Sequence, residues 1–249
     1  MSLAELRTIA QPPEYSPART DHLYRVVSIY LSIPLANLGI TPNAITVAWI
    51  LIGLAGIICL GTGGWIAGIL GALLLELSYL LDFVDGEVAR LSQRRSDVGR
   101  FLDFLGHGLI RTALPLGVAA GAVTATGTPL LLLAGAVGAI AIGVGGSIPF
   151  YSACTTGDIA YGDLAHAAAP SRTASTKLTF KKAVVGICGL SFESPGLYAL
   201  ALLGATAKIL PVVSLYWMVG GTIWLVIRIG VVWRRVATLG GTRQESTNE

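Results

Sequence analysis

The chain has 249 residues, 53% of them hydrophobic and only 12% charged, with a formal net charge of +3. That charged share is about half the roughly 25% of a soluble domain, which excludes an ordinary water-soluble enzyme. Nucleic acid is not an expected partner.

Apolar runs of about 20 residues recur, the length at which a helix crosses a bilayer. Helices rather than strands follow, because open strands would leave backbone groups unpaired in lipid. No alternation of short segments suggests a barrel. The expected fold class is all-α: a polytopic membrane protein with six transmembrane helices and an N-terminal interfacial helix.

Residues 1–20 are polar and proline-containing and read as a flexible cytoplasmic tail, without the apolar core of a cleavable signal peptide. From Asp21 to Ile33, Leu23, Val27, Tyr30 and Leu31 fall on one helical face. They suit a helix lying in the interface and ended by Pro34, or one packed on the body of the protein. Thr41 and Pro42 read as the cap and first position of a span over about 42–60. Further spans are expected over about 65–90, 98–123, 128–151, 195–209 and 211–233. Tight turns fall at Gly61–Gly64, Thr124–Pro129 and Lys208–Pro211. A polar stretch over about 152–194 precedes the last two spans. Its basic part, Leu164–Lys182, reads as a solvated loop, with contact to anionic headgroups or a phosphorylated substrate as the alternative. Residues 21–235 are thus the expected membrane domain, and 236–249 a disordered C-terminal tail. Cys59, Cys154 and Cys188 fit no ligand spacing and read as packing residues.

Six spans sort the cations cleanly. Arg7, Arg19, Arg25, Arg90, Arg94, Arg95, Arg100, Arg172, Lys177, Lys181, Lys182, Arg234, Arg235 and Arg243 fall on one side, and Lys208 on the other. Positive charge stays cytoplasmic. The expectation is an integral, multi-pass protein with both termini on the cytoplasmic side.

Leu81–His107 concentrates the carboxylates. Asp82 and Asp85 are three apart at the end of the second span; Asp103 and His107 are four apart near the start of the third. Each spacing puts its pair on one helical face. An antiparallel hairpin would gather all four at one depth, a costly arrangement unless metal neutralises it. Gly86, Ala89 and Gly99, lacking bulk, would let phosphates approach the helix backbone. Arg90 supplies a planar donor for a phosphate. The set describes a metal and polyphosphate site reached from the cytoplasm, against the plainer reading of a charged loop with aspartates capping helix ends.

Asp82, Asp85, Gly86, Ala89, Arg90, Gly99 and Asp103 resemble, at the same spacing, the motif D-x2-D-G-x2-A-R-x8-9-G-x3-D-x3-D of the CDP-alcohol phosphotransferases. Pro42-Asn43-Ala44-Ile45-Thr46 is similar to the PN-x-x-T element that opens the family's first span. The resemblance implies a membrane enzyme that moves a substituted phosphate from a CDP-linked donor to a hydroxyl acceptor and releases CMP. CDP-diacylglycerol or another CDP-alcohol would be the donor, most commonly in phospholipid biosynthesis, with membrane lipids as surroundings and a homodimer as an arrangement many members adopt. It also implies two divalent cations, Mg²⁺ or Mn²⁺, held by Asp82, Asp85 and Asp103, with the last motif position touching a metal as well. Gly86, Ala89, Arg90, Ser96 and Gly99, with Asn43 and Thr46, would line the CDP moiety.

The chain departs from the motif at its end, where His107 stands in place of the aspartate thought to act as general base. Three readings follow. His107 is the base, since a neutral imidazole with a pKa near roughly 6.5 accepts a proton at physiological pH; or transfer is lost and only nucleotide or metal binding persists; or His107 packs and another group is the base. The seven retained positions favour the first. Imidazole suits Mn²⁺ better than Mg²⁺, which predicts a shifted metal preference. Arg111, one turn deeper, would bind an anionic acceptor or pair with Glu76, and Arg228 has the same ambiguity. The rival to an enzyme is a non-enzymatic nucleotide- or metal-binding membrane protein or a small transporter, which would place its charged site nearer the bilayer midplane.

Overall fold

The computed structural model of the chain describes residues 2–12, 22–156, 192 and 194–245. Leu164–Lys182 lies outside the described residues. Every regular element among the described residues is a helix: α1 (Leu3–Ala10), α2 (His22–Asn37), α3 (Pro42–Gly61), α4 (Trp65–Leu91), α5 (Asp97–Thr126), α6 (Leu130–Thr156), α7 (Ser194–Thr206) and α8 (Leu210–Glu245). The protein is an all-α polytopic membrane protein.

Among the described residues, five helices have the length and apolar composition to cross a bilayer: α3, α4, α5, α6 to Ile148 and α8 to Trp233. Six were expected. The sixth expected span falls on α7, whose 13 described residues extend roughly 20 Å at 1.5 Å per residue.

Local chemistry sets the helix starts. At α1 a capping box forms, with Ser2 Oγ accepting from Glu5 N at 3.3 Å and Ser2 N donating to Glu5 Oε2 at 2.8 Å. At α3, Thr41 Oγ1 accepts from Ala44 N at 3.3 Å and Pro42 takes the first position, where its missing N–H costs nothing. At α5, Ser96 Oγ accepts from Gly99 N at 3.0 Å. Gly127, with φ of 69°, ends that helix in the left-handed conformation.

The end expected at Pro34 is corrected: α2 runs through it to Asn37. A proline removes the bond its own nitrogen would donate and its ring crowds the carbonyl four residues back, which kinks or strains a helix without always ending it. The next turn still closes, with Leu38 N donating to Pro34 O at 2.9 Å. The apolar stripe of α2 faces outward, Leu23 and Tyr30 being 70% and 60% exposed. Its buried face carries Ser28, Ile29 and Ser32.

The bundle is organised around α3, which packs on both α4 and α5; α6 packs on α5 and α8, and α7 on α4. Small residues permit the close approaches, as expected where lipid offers no hydrophobic drive. A Cβ at Gly56 of α3 would come within 2.6 Å of the Gly71 carbonyl oxygen of α4, and one at Gly117 of α5 within 2.9 Å of the Ile57 carbonyl oxygen. Trp49, Leu75, Tyr79, Ile110, Leu114 and Trp217 belong to the core these crossings enclose. Its effect on function is to clamp one end of α4 between the starts of α3 and α5.

Candidate metal centre

Asp82, Asp103 and His107 meet across α4 and α5. His107 Nε2 lies 3.3 Å from Asp82 Oδ1 and 3.5 Å from Asp103 Oδ1. One ligand atom from each of the three lies within 4.8 Å of the other two, and all three side chains are half-buried. Counting along each helix at 1.5 Å per residue, the group is inset roughly 9–15 Å from the nearby ends of α4 and α5. Two carboxylates and an imidazole in this space form a mixed oxygen and nitrogen donor set that suits a divalent transition ion. Each acid needs a cation or a proton to offset its neighbour, and the imidazole supplies a borderline nitrogen ligand where a fourth aspartate would supply a hard oxygen.

Asp85 stands outside this group of three but within electrostatic reach of Asp82 and Asp103. It is buried, and α3 holds it: Thr46 Oγ1 donates to Asp85 Oδ2 at 2.7 Å, and Trp49 Nε1 donates to the same oxygen at 2.9 Å. Thr46 and Trp49 are three apart, so one face of α3 presents both donors to α4.

Asn43, Ser96 and Gly99 come together where α3 and α5 begin. Ser96 Oγ lies 3.4 Å from Asn43 Oδ1, and a Cβ at Gly99 would sit 2.7 Å from the same Asn43 oxygen. Gly86 is open, its nearest neighbour for an added Cβ being the Arg90 guanidinium at 3.4 Å. Arg90 also reaches the N-terminal segment, its Nε donating to Ala10 O at 2.5 Å. Ala89 and Arg90 line a cavity of about 560 Å³ with Thr8, Ile9, Pro12, Gln93 and Arg95.

Deeper in the bundle, Glu76 accepts a hydrogen bond from Tyr24, whereas Arg111 Nη1 donates to Gly146 O of α6 at 3.4 Å. The Arg228 guanidinium lies over the Trp224 ring at 4.7 Å.

Two residues with large roles here are not among the sequence candidates. Trp49 touches both Asp85 and His107; its signal was a spacing of three from Thr46. Glu87, fully buried on α4, accepts from Ser28 Oγ and Gln11 Nε2 at Oε1 and from Ser32 Oγ at Oε2, each at 2.6 Å. Its signal was the serine pair four apart on α2.

Residues 39–148 match the family model of the CDP-alcohol phosphatidyltransferases. The matched segment covers α3, α4, α5 and most of α6, and it contains Asn43, Thr46, Trp49, Asp82, Asp85, Gly86, Ala89, Arg90, Ser96, Gly99, Asp103 and His107. No curated protein matches the chain.

Proposed function

We propose that the CDP-alcohol phosphatidyltransferase domain at residues 39–148 transfers a substituted phosphate from a CDP-linked donor to a hydroxyl acceptor and releases CMP, in phospholipid synthesis. The observation that carries this is the convergence of Asp82, Asp103 and His107 within 4.8 Å, beside Asp85, inside the family-matched segment. In this reading these four residues hold divalent cations, Mn²⁺ or Mg²⁺. Bound there, such ions neutralise the donor pyrophosphate and stabilise the departing CMP.

The remaining work falls to the chain's own groups. Asn43, Thr46, Gly86, Ala89, Arg90, Ser96 and Gly99 shape the donor site, with small residues where phosphates approach the backbone and the Arg90 guanidinium as their partner. His107 turns Nε2 toward the two carboxylates, which supports a ligand role for that nitrogen. A metal-bound imidazole keeps its proton on the other nitrogen, so acting as base for the acceptor hydroxyl would then fall to a neighbouring carboxylate. The distribution of Lys and Arg supports a cytoplasmic site and cytoplasmic termini, with residues 21–235 as the membrane domain. An inset of roughly 9–15 Å in helices about 40 and 45 Å long stops short of their midpoints, which favours an enzyme over a transporter with a midplane site.

The test is CMP release by the detergent-purified full chain, with a panel of CDP-linked donors, mixed acceptors, and Mn²⁺ or Mg²⁺. Metal-dependent release with at least one donor supports the reading. No release with any donor, together with ion movement in liposomes, overturns it.

A further inference from the structure

Trp49 lies outside the motif positions, and its burial alone would make it a core residue. Its contacts say more. The indole N–H donates to Asp85 Oδ2 at 2.9 Å, and its ring centroid lies 5.3 Å from that of His107 with the planes tilted by 41°. The one side chain therefore touches both an acid and the imidazole of the candidate centre. The neighbouring sequence makes room for it: an added Cβ at Gly106, the residue preceding His107, would collide with the Trp49 ring and lie 2.6 Å from Ile50 Cγ1.

Both α3 donors, Thr46 and Trp49, bond to one oxygen of Asp85. That fixes the carboxylate's rotation and directs Oδ1 elsewhere. On the far side, the indole backs the imidazole whose Nε2 meets Asp82 and Asp103 at 3.3 and 3.5 Å. Outer-shell groups of this kind orient metal ligands by a hydrogen bond or a packed ring. An imidazole has a defined plane and two unlike nitrogens, so it needs such support more than a carboxylate at the same position would.

We propose that Trp49 is a positioning residue for the cation centre: its N–H sets the Asp85 carboxylate and its ring sets the plane of His107, so that Nε2 faces Asp82 and Asp103. This rests on the reading of those residues as cation ligands. A purely structural Trp49 would affect stability but not cation affinity.

The experiment measures Mn²⁺ affinity of the purified full chain, by the electron paramagnetic resonance signal of free Mn²⁺. Trp49→Phe removes the N–H and keeps a ring; Trp49→Leu removes both. The expected losses are about 10-fold for Trp49→Phe and up to about 100-fold for Trp49→Leu. In a His107→Asp background, where no imidazole plane needs holding, the Trp49→Leu loss should shrink to that of Trp49→Phe. Co²⁺ should also quench the part of the tryptophan emission that Trp49→Phe lacks. Unchanged Mn²⁺ affinity in both Trp49 variants, or equal Trp49→Leu losses with His107 and with Asp at position 107, overturns the positioning role and leaves the cation centre standing. Failure of the unmutated chain to bind Mn²⁺ overturns both.

Discussion

Glu87 and Asp82 share one helix, five residues apart, and meet opposite fates. Glu87 is fully buried and saturated by neutral donors, Ser28, Ser32 and Gln11. It fastens α2 and the segment after α1 to α4 and has no remaining demand for a ligand. Asp82 faces another acid and an imidazole, an arrangement that its own neighbours do not neutralise. The helical repeat separates the two roles, since Glu87 lies about 200° around the helix from Asp85, two residues before it. Burial of a carboxylate is therefore no sign of function by itself; the character of its partners is.

Substitutions on the two faces should dissociate activity from stability. Asp82→Asn or Asp103→Asn should lower CMP release by at least about 100-fold, because losing a ligand exceeds the usual effect of an outer-shell partner. The melting temperature in detergent should hold or rise, as like charges are separated. Glu87→Leu should do the reverse. It strands buried donors and should cost about 2 kcal/mol of stability, while Mn²⁺ affinity, read on the folded fraction, stays within about 2-fold of the unmutated chain. A loss of Mn²⁺ affinity matching that of Asp103→Asn would erase the distinction.

Smaller effects sharpen it. His107→Asp should lower the ratio of Mn²⁺-supported to Mg²⁺-supported CMP release by about 10-fold, as an oxygen ligand replaces a nitrogen. Equal ratios before and after would count against a ligand role for His107. Gln11→Ala removes the bond to Glu87 and loosens the segment whose Ala10 carbonyl holds Arg90. The KM for the CDP-linked donor should then shift by about 3-fold or less with kcat unchanged. A change confined to kcat would place the segment's influence elsewhere.

The sequence made the carboxylate series legible because helical spacing is a local property. Asp82 with Asp85, and Asp103 with His107, declare their faces without knowledge of the bundle. The start of α3 was legible for the same reason, through Thr41 and Pro42. Contacts between helices were not. Trp49 and Glu87 owe their roles to partners on other helices, and along the chain they look like one more core aromatic and one more charge near a helix end. Glu76 and Arg111 show the limit from the other side: at similar depth, they bond to Tyr24 and to the Gly146 carbonyl, choices set by packing that periodicity does not encode. Pro34 was read as an end because its local rule is strong, yet the helix continues through it to Asn37, with the next turn closed by Leu38 N on Pro34 O.

In the proposed site, Asp82, Asp103 and His107 share a divalent cation. Electron spin-echo modulation of Mn²⁺ bound to the full chain tests it most directly. Modulation from a single coordinated imidazole nitrogen is expected, and it should disappear in His107→Asp while Mn²⁺ stays bound. Bound Mn²⁺ without nitrogen coupling, or the same coupling in His107→Asp, would contradict it.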